Sequence, residues 1–247
     1  MELLEPFAVR ATTMSTVDRY QSNEKIVTIP RGGQTASLAA IVNELEEDIV
    51  FGRLHPRERL IEDELLARFA AKRHIVRQAF GELERMGLVE RIPNRGAMVR
   101  ACRPDEVKQL YFLRDLLETE AARLIPLPLP EADLADLRAS QASHDTAVFA
   151  GDLRRVFRAN IIFHRTLFSK CENAYLAETI NDFAQRVHGI RFYSLTEPGY
   201  VERARQEHWE MIAAMENDDR GRLVDLCRRH IVASKEAYLR AYSVYGA

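Results

Sequence analysis

The chain has 247 residues and a formal net charge of -2, with 47% hydrophobic and 29% charged residues and only 11 Gly and 9 Pro. That is ordinary globular composition, which excludes collagen-like, low-complexity and wholly disordered chains, and it confines any nucleic-acid binding to a local basic patch. Cys102, Cys171 and Cys227 are odd in number and form no CxxC pair, so a disulfide framework is not expected. The N-terminal MELLEPFAVR lacks the apolar run of a signal peptide. No stretch approaches the ~18 uncharged apolar residues of a membrane span. A cytoplasmic protein without membrane contact is the expectation.

Residues 1–34 lack sustained periodicity and end near Arg31-Gly32-Gly33, the pattern of a mobile extension. From 35 to 103 the signals are short and mixed. Leu38, Ile41, Leu45, Ile49 and Val50 follow helical spacing up to Gly52. After the loop His55-Pro56, Leu65, Leu66 and Phe69 mark a short helix over Glu62–Phe69. A third helix from Lys72 to Met86 buries Val76, Ala79, Phe80 and Leu83, and Gly87 closes it. Leu88–Ile92 and Ala97–Arg100 flank the turn Pro93-Asn94-Arg95-Gly96 and read as a β-hairpin. Three helices and a hairpin in this order make a winged helix-turn-helix.

From 104 to 247 the signals are helical. Breakers at Pro126–Pro130, Gly151-Asp152, Cys171–Asn173, Pro198-Gly199 and Asn217–Asp219 leave six segments with apolar stripes. The predicted fold is therefore mainly α: a winged helix-turn-helix followed by an all-α six-helix bundle. Charge divides the chain in the same place. Lys72 to Arg103 holds eight basic and three acidic residues, whereas Pro104 onward holds 19 basic and 22 acidic.

In the third helix Arg73 and Arg77 lie four apart, with Lys72 and Gln78 beside them, opposite the apolar face. An apolar back with a basic front suits entry into the major groove, where Arg donates twice to a guanine edge. Two exposed arginines are more often a solvated face, so the context decides: a short preceding helix, a tight turn, and a hairpin tip. At that tip Arg95 can reach phosphate or the minor groove, and Gly96 permits close backbone approach. The run GRLHPRERLIEDELLARFAAKRHIVRQAFGELERMGLVERIPNRGAMV resembles the N-terminal domain of GntR-superfamily transcription regulators. Its landmarks are Gly52, Pro56, Leu60, Leu65, Arg73, Val76-Arg77, Ala79, Leu83, Gly87-Leu88-Val89 and Gly96. Asp63 stands where many members carry an arginine that contacts DNA, so no DNA role is assigned to it.

In the helical half, polar residues occupy apolar stripes. Arg114 interrupts Val107, Leu110, Leu117, Ala121 and Leu124. Asn160 and His164 interrupt Leu153, Phe157 and Leu167. His208 lies among Val201, Ala204, Met211 and Met215, and His230 among Leu223, Leu226, Ala233 and Ala237. An inward arginine needs an anion, either Glu118 or another carboxylate. A single inward histidine is usually a hydrogen-bonded core residue. Three on three helices, with Asn160 one turn from His164, instead form a joint pattern that suits zinc, nickel or another divalent metal.

This half resembles the FCD effector domain found in the FadR-like branch of the same superfamily, through its six helices, Arg114-x-x-x-Glu118, the FHRTLF run holding His164, and His208 and His230. The resemblance implies that Asn160, His164, His208 and His230 hold a divalent metal. It also implies that Arg114 binds the carboxylate of a small organic-acid effector, with Arg186, Arg191 and Tyr193 lining the same cavity. Many relatives have Asp at the position of Asn160.

The leading function is a dimeric, ligand-responsive regulator of double-stranded operator DNA, not an enzyme. A metal-dependent hydrolase on the helical bundle is the alternative, since three histidines with open positions can activate water. It leaves the basic module unexplained and finds no inward carboxylate for a general base. A helical adaptor explains neither Arg73 and Arg77 nor the inward histidines.

Overall fold

The computed structural model describes residues 36–93 and 95–245; the expected extension over 1–34 lies outside them. Helix α1 (Leu38–Val50) starts where the Ser37 hydroxyl accepts from the Ala40 amide at 3.2 Å, a side-chain cap for one orphan N–H. It is followed by β1 (Arg59–Leu60), α2 (Glu62–Phe69), α3 (Arg73–Arg85), β2 (Val89–Ile92) and β3 (Gly96–Val99). The expected second and third helices and the hairpin are all present. β3 pairs antiparallel with β2 on one side, Val89 facing Val99, and with β1 on the other. β1 was not expected, because two residues are too few to show a period of two.

The side chains of this part bury a core of their own: Ile41, Leu45 and Ile49 from α1, Leu65 and Phe69 from α2, Val76, Ala79, Phe80 and Leu83 from α3, and Val89, Ala97 and Val99 from the sheet. Each large apolar side chain so buried contributes about 1.5–3 kcal/mol. Gly96, at φ +86°, has no room for a side chain: a Cβ there would strike the Leu60 carbonyl oxygen. The glycine is thus explained by closure of the wing onto β1.

The remaining helices are α4 (Pro104–Leu124), α5 (Glu131–Phe149), α6 (Leu153–Ser169), α7 (Ala174–Arg186), a 3₁₀ turn (His188–Ile190), α8 (Arg191–Leu195), α9 (Tyr200–Glu216) and α10 (Arg220–Tyr245). Asp152 and Asn173 cap α6 and α7 through their side chains. The fourth of the six expected segments is interrupted, which corrects the six-helix count: α7 ends at Arg186, and the chain turns through His188–Ile190 before α8. Gly189 is its only breaker residue, and Val187, His188 and Ile190 are all buried there.

The stripe on α4 is also rotated from the expected one. Val107, Tyr111, Arg114, Glu118, Ala121 and Ala122 face inward, while Leu124 is 44% exposed. A further cluster joins the two parts of the chain: Val50 at the end of α1 and Phe51 just beyond it pack with Ala147, Val156, Phe157 and Leu195.

Candidate functional site

On α3 the buried residues Val76, Ala79, Phe80 and Leu83 leave Lys72, Arg73, Arg77 and Gln78 on the exposed side. That is the placement the sequence predicts. Arg95 is exposed in the wing turn. The sequence did not reveal how the two arginines are held. Arg73 donates to Glu62 at 2.5 Å and to Asp63 at 2.9 Å, and Arg77 donates to Glu62 at 3.0 Å. Glu62 is lowered below the usual carboxylate range: burial pulls it up, but the bonds from Arg77 and Arg73 outweigh that pull. The basic front of α3 is therefore masked in part by the first turn of α2.

In the helical part, α4, α6, α7 and the turn before α8 enclose a cavity lined by Arg114, Glu118, Asn160, His164, Gln185, His188 and Arg191. Arg114 is 6% exposed and Glu118 3%. The Arg114 Nε donates to Glu118 at 2.8 Å, and its guanidinium lies 5.0 Å from the centre of the Tyr111 ring. Burial works against the charge on Arg114, but Glu118 and its other neighbours raise it further above its ordinary range. One bond to Glu118 uses only one of the five N–H donors of a guanidinium.

His164 of α6, His208 of α9 and His230 of α10 converge. Their ligand atoms lie within 4.8 Å of one another, and the ring centres are 4.9 to 5.0 Å apart in every pair. The facing Nε2 atoms of His164 and His230 stand 3.1 Å apart. Two nitrogens about 2.1 Å from one ion stand ~3.0–3.4 Å apart, so this spacing fits a shared metal.

Second-layer bonds set two tautomers. His208 Nδ1–H donates to Gln141 Oε1 at 2.8 Å, and His230 Nδ1–H donates to Glu207 Oε2 at 2.8 Å. Both leave Nε2 as a lone pair, the arrangement metal-binding histidines adopt. Burial drives His164 and His208 well below the ordinary imidazole range, helped by the other histidines nearby. Both are held neutral, the form that coordinates.

Five buried polar atoms have no hydrogen-bond partner among the described residues: Asn160 Nδ2, His164 Nδ1, His208 Nε2, Gln185 Oε1 and Arg191 Nε. All belong to the triad or to the cavity wall. Such orphans are costly in a finished core and call for a ligand. Asn160, 7% exposed, lies one turn before His164 on the same face, as its spacing predicts.

Two of the expected effector residues are placed elsewhere. Arg186 is exposed, with its guanidinium 5.5 Å from the Phe183 ring, because it ends α7 on the side facing Gly87 of the N-terminal part. Tyr193 packs edge-on against Tyr238 at 5.3 Å in a separate apolar cluster. Arg191 does line the cavity.

Sequence reasoning missed Gln141, His144, Gln185, His188 and Glu207. Gln141 and His144 interrupt the stripe of Leu134 and Leu137 on α5 just as Asn160 interrupts its own, so the same signal marks them. Glu207 carries no such mark. It adjoins His208 in sequence yet serves His230, across 23 positions.

The comparisons agree with this geometry. Residues 38–99 match the family described as bacterial regulatory proteins, gntR family, and residues 109–233 match the FCD domain. The HTH-type transcriptional repressor RspR of Escherichia coli is 27% identical over 177 residues, covering 71% of this chain and 77% of the relative. A probable D-xylose utilization operon transcriptional repressor of Paenarthrobacter nicotinovorans is 28% identical, over 78% of this chain and 83% of its own. Among solved structures, E. coli McbR/YncC aligns with a TM-score of 0.70 at 18% identity, covering 85% of this chain and 100% of that one. A GntR-type regulator from Rhodococcus sp. RHA1 aligns at 0.66 and 21% identity, covering 83% and 98%. The two sequence relatives are transcriptional repressors and both matched families are regulatory, so the hydrolase alternative is not supported. The chain belongs to the GntR family of bacterial transcription regulators, with an FCD domain as its helical part.

Proposed function

We propose that the chain is a dimeric regulator whose winged helix binds a two-fold operator in double-stranded DNA and whose helical cavity binds a small carboxylate effector together with a divalent metal. The single observation carrying the metal reading is the triad of converging imidazoles, in which two histidines are already oriented by Gln141 and Glu207. Asn160, His164, His208 and His230 would hold the ion, with zinc or nickel favoured by three imidazoles and one amide oxygen. When bound, it supplies concentrated positive charge at the cavity that Arg114 lines.

This chain's own residues then do the rest. Arg114, anchored by Glu118, offers its remaining donors to a carboxylate. Arg191 Nε and Asn160 Nδ2 offer two further buried donors, and Gln185 Oε1 offers an acceptor. On DNA, Arg73, Arg77 and Gln78 face base edges, and Lys72 and Arg95 face phosphates. A helix-turn-helix reads half-sites about one helical turn apart, which requires two copies. No helix among the described residues is long and apolar enough to cross a membrane, which accords with cytoplasmic action.

Elemental analysis of purified protein, with light scattering and titration of a DNA duplex that the protein selects from a random pool, tests this reading. About one metal per chain, a dimer and salt-sensitive binding are expected. A monomer that holds no metal after reconstitution would refute it.

A further inference from the structure

Three consecutive acids on α1, Glu46, Glu47 and Asp48, are 2%, 7% and 3% exposed. Such a run is normally a solvated face, and buried carboxylates persist only when paired. Their partners differ in one respect. Asp48 is held within the N-terminal part, by Arg53 and Arg68, each at 2.6 Å. Glu46 and Glu47 are held from the helical part. Arg158 of α6 reaches Glu46 at 2.5 Å, Glu47 at 3.0 Å and the Asn43 carbonyl at 3.1 Å, and Arg154 reaches Glu47. His188 closes the set, its Nδ1 bonded to the other oxygen of Glu46 at 2.7 Å.

One partner of Glu46 lines the ligand cavity, and the other lies on a helix that does. Arg158 lies two residues before Asn160 on α6, the helix that also carries His164. His188 is part of the cavity wall, beside Arg114, Asn160 and Arg191, and its ring stands edge-on to Phe157 at 5.1 Å. Movement of α6 or of the His188 turn therefore acts on one carboxylate of α1, the first helix of the DNA-binding unit.

We propose that Glu46, gripped jointly by Arg158 and His188, is the positioning residue through which occupation of the helical cavity is transmitted to the winged helix. The input is differential: a ligand that favours one placement of α6 and the His188 turn favours one placement of α1, and a ligand indifferent to both transmits nothing. Asp48, two positions along and similarly buried, is paired with Arg53 and Arg68 of the N-terminal part and serves as the internal control. The proposal rests on the reading that the histidine triad binds metal.

The test uses zinc alone as the probe. Operator affinity is measured by fluorescence anisotropy with EDTA and with zinc, and zinc affinity by calorimetry, for the full chain and for Glu46→Gln, Arg158→Gln and Asp48→Asn. In the unchanged protein zinc should alter operator affinity by roughly 5- to 150-fold. In Glu46→Gln, which keeps the shape and removes the charge, zinc should bind as before while its effect on DNA falls to within about twofold. Arg158→Gln breaks the same node from the other side and should do likewise, which keeps the test intact if either variant folds poorly. Asp48→Asn should retain the response. Full response in a folded Glu46 or Arg158 variant, or equal loss in Asp48→Asn, overturns the relay. Zinc uptake by the unchanged protein with no change in DNA affinity also overturns it, while leaving the metal reading standing. No zinc uptake at all removes the metal reading and, with its input gone, the relay.

Discussion

Arg73 and Glu62 face each other across the turn of the helix-turn-helix, the guanidinium donating to the carboxylate at 2.5 Å, and Arg77 donates to the other oxygen of the same carboxylate. The two residues best placed to read DNA thus share one acid. In the proposed complex, binding exchanges this ion pair for contacts to the duplex. Because both arginines are more than half exposed, the pair is screened and weak. Glu62→Gln should therefore raise operator affinity about two- to fivefold at low salt. Arg73→Ala or Arg77→Ala should instead lower it by roughly 5- to 150-fold if either reads a base edge. Anisotropy titrations at several salt concentrations decide both, and unchanged affinity in both arginine variants removes α3 as the recognition helix.

The second layer of the triad gives a prediction about metal. Glu207→Gln removes the carboxylate that orients His230 and should weaken zinc binding about 10- to 100-fold. Asn160→Asp restores a negative charge to the site and should strengthen binding. Competitive titration with a chromogenic chelator measures both. Equal affinity in Glu207→Gln and the unchanged protein would show that His230 does not ligate.

Arg114 and Glu118 are both nearly inaccessible. Replacing one partner strands the other charge, so Glu118→Ala should cost about 3–5 kcal/mol, or roughly 10 °C in Tm for a chain of this size. The double substitution Arg114→Met with Glu118→Leu should cost much less. Thermal melts followed by circular dichroism check the order, and a harmless Glu118→Ala would mean that Arg114 finds another anion.

His188 supplies a pH dependence. Burial lowers it to about 4, against the pull of Glu46, with Arg191 and Arg114 adding repulsion. Its folded pKa thus lies below its ordinary value of about 6.5. The unfolded chain then binds the proton first as pH falls, so stability is full above about 6.5 and declines toward 4. The slope from this group is at most ~1.4 kcal/mol per pH unit. Glu46 acts further down. Burial raises it, but His188 and Arg158 outweigh that and hold it below the usual range, so its contribution is lost only as pH falls beneath about 4.3. Urea denaturation of metal-free protein between pH 7 and 4 should show the decline, and His188→Gln should flatten it. An unchanged slope in that variant contradicts the assignment.

The winged helix was legible because its periods are strong and its punctuation is local: Gly52, Gly87 and the hairpin turn fall at element ends. The triad was legible because polar residues on apolar stripes must point inward wherever the helix packs. What escaped was set by packing between distant segments. Glu46 reads as one of three surface acids until α6 is seen beside it. His188 sits in a break marked by Gly189 alone, and Tyr193 and Arg186 could not be separated from Arg191 by spacing alone. The stripe on α4 was misread at Leu124 because the apolar residues of that helix run around more than one face.

In the proposed function the helical cavity controls the winged helix through a metal and a carboxylate. Operator affinity of the zinc-loaded protein, measured by anisotropy across a panel of small mono-, di- and tricarboxylates, tests it most directly. At least one carboxylate should change the affinity fivefold or more, and the same compound should have no effect on His208→Ala. Contradiction would be a panel that leaves the zinc-loaded protein unmoved, or a compound that acts equally on His208→Ala.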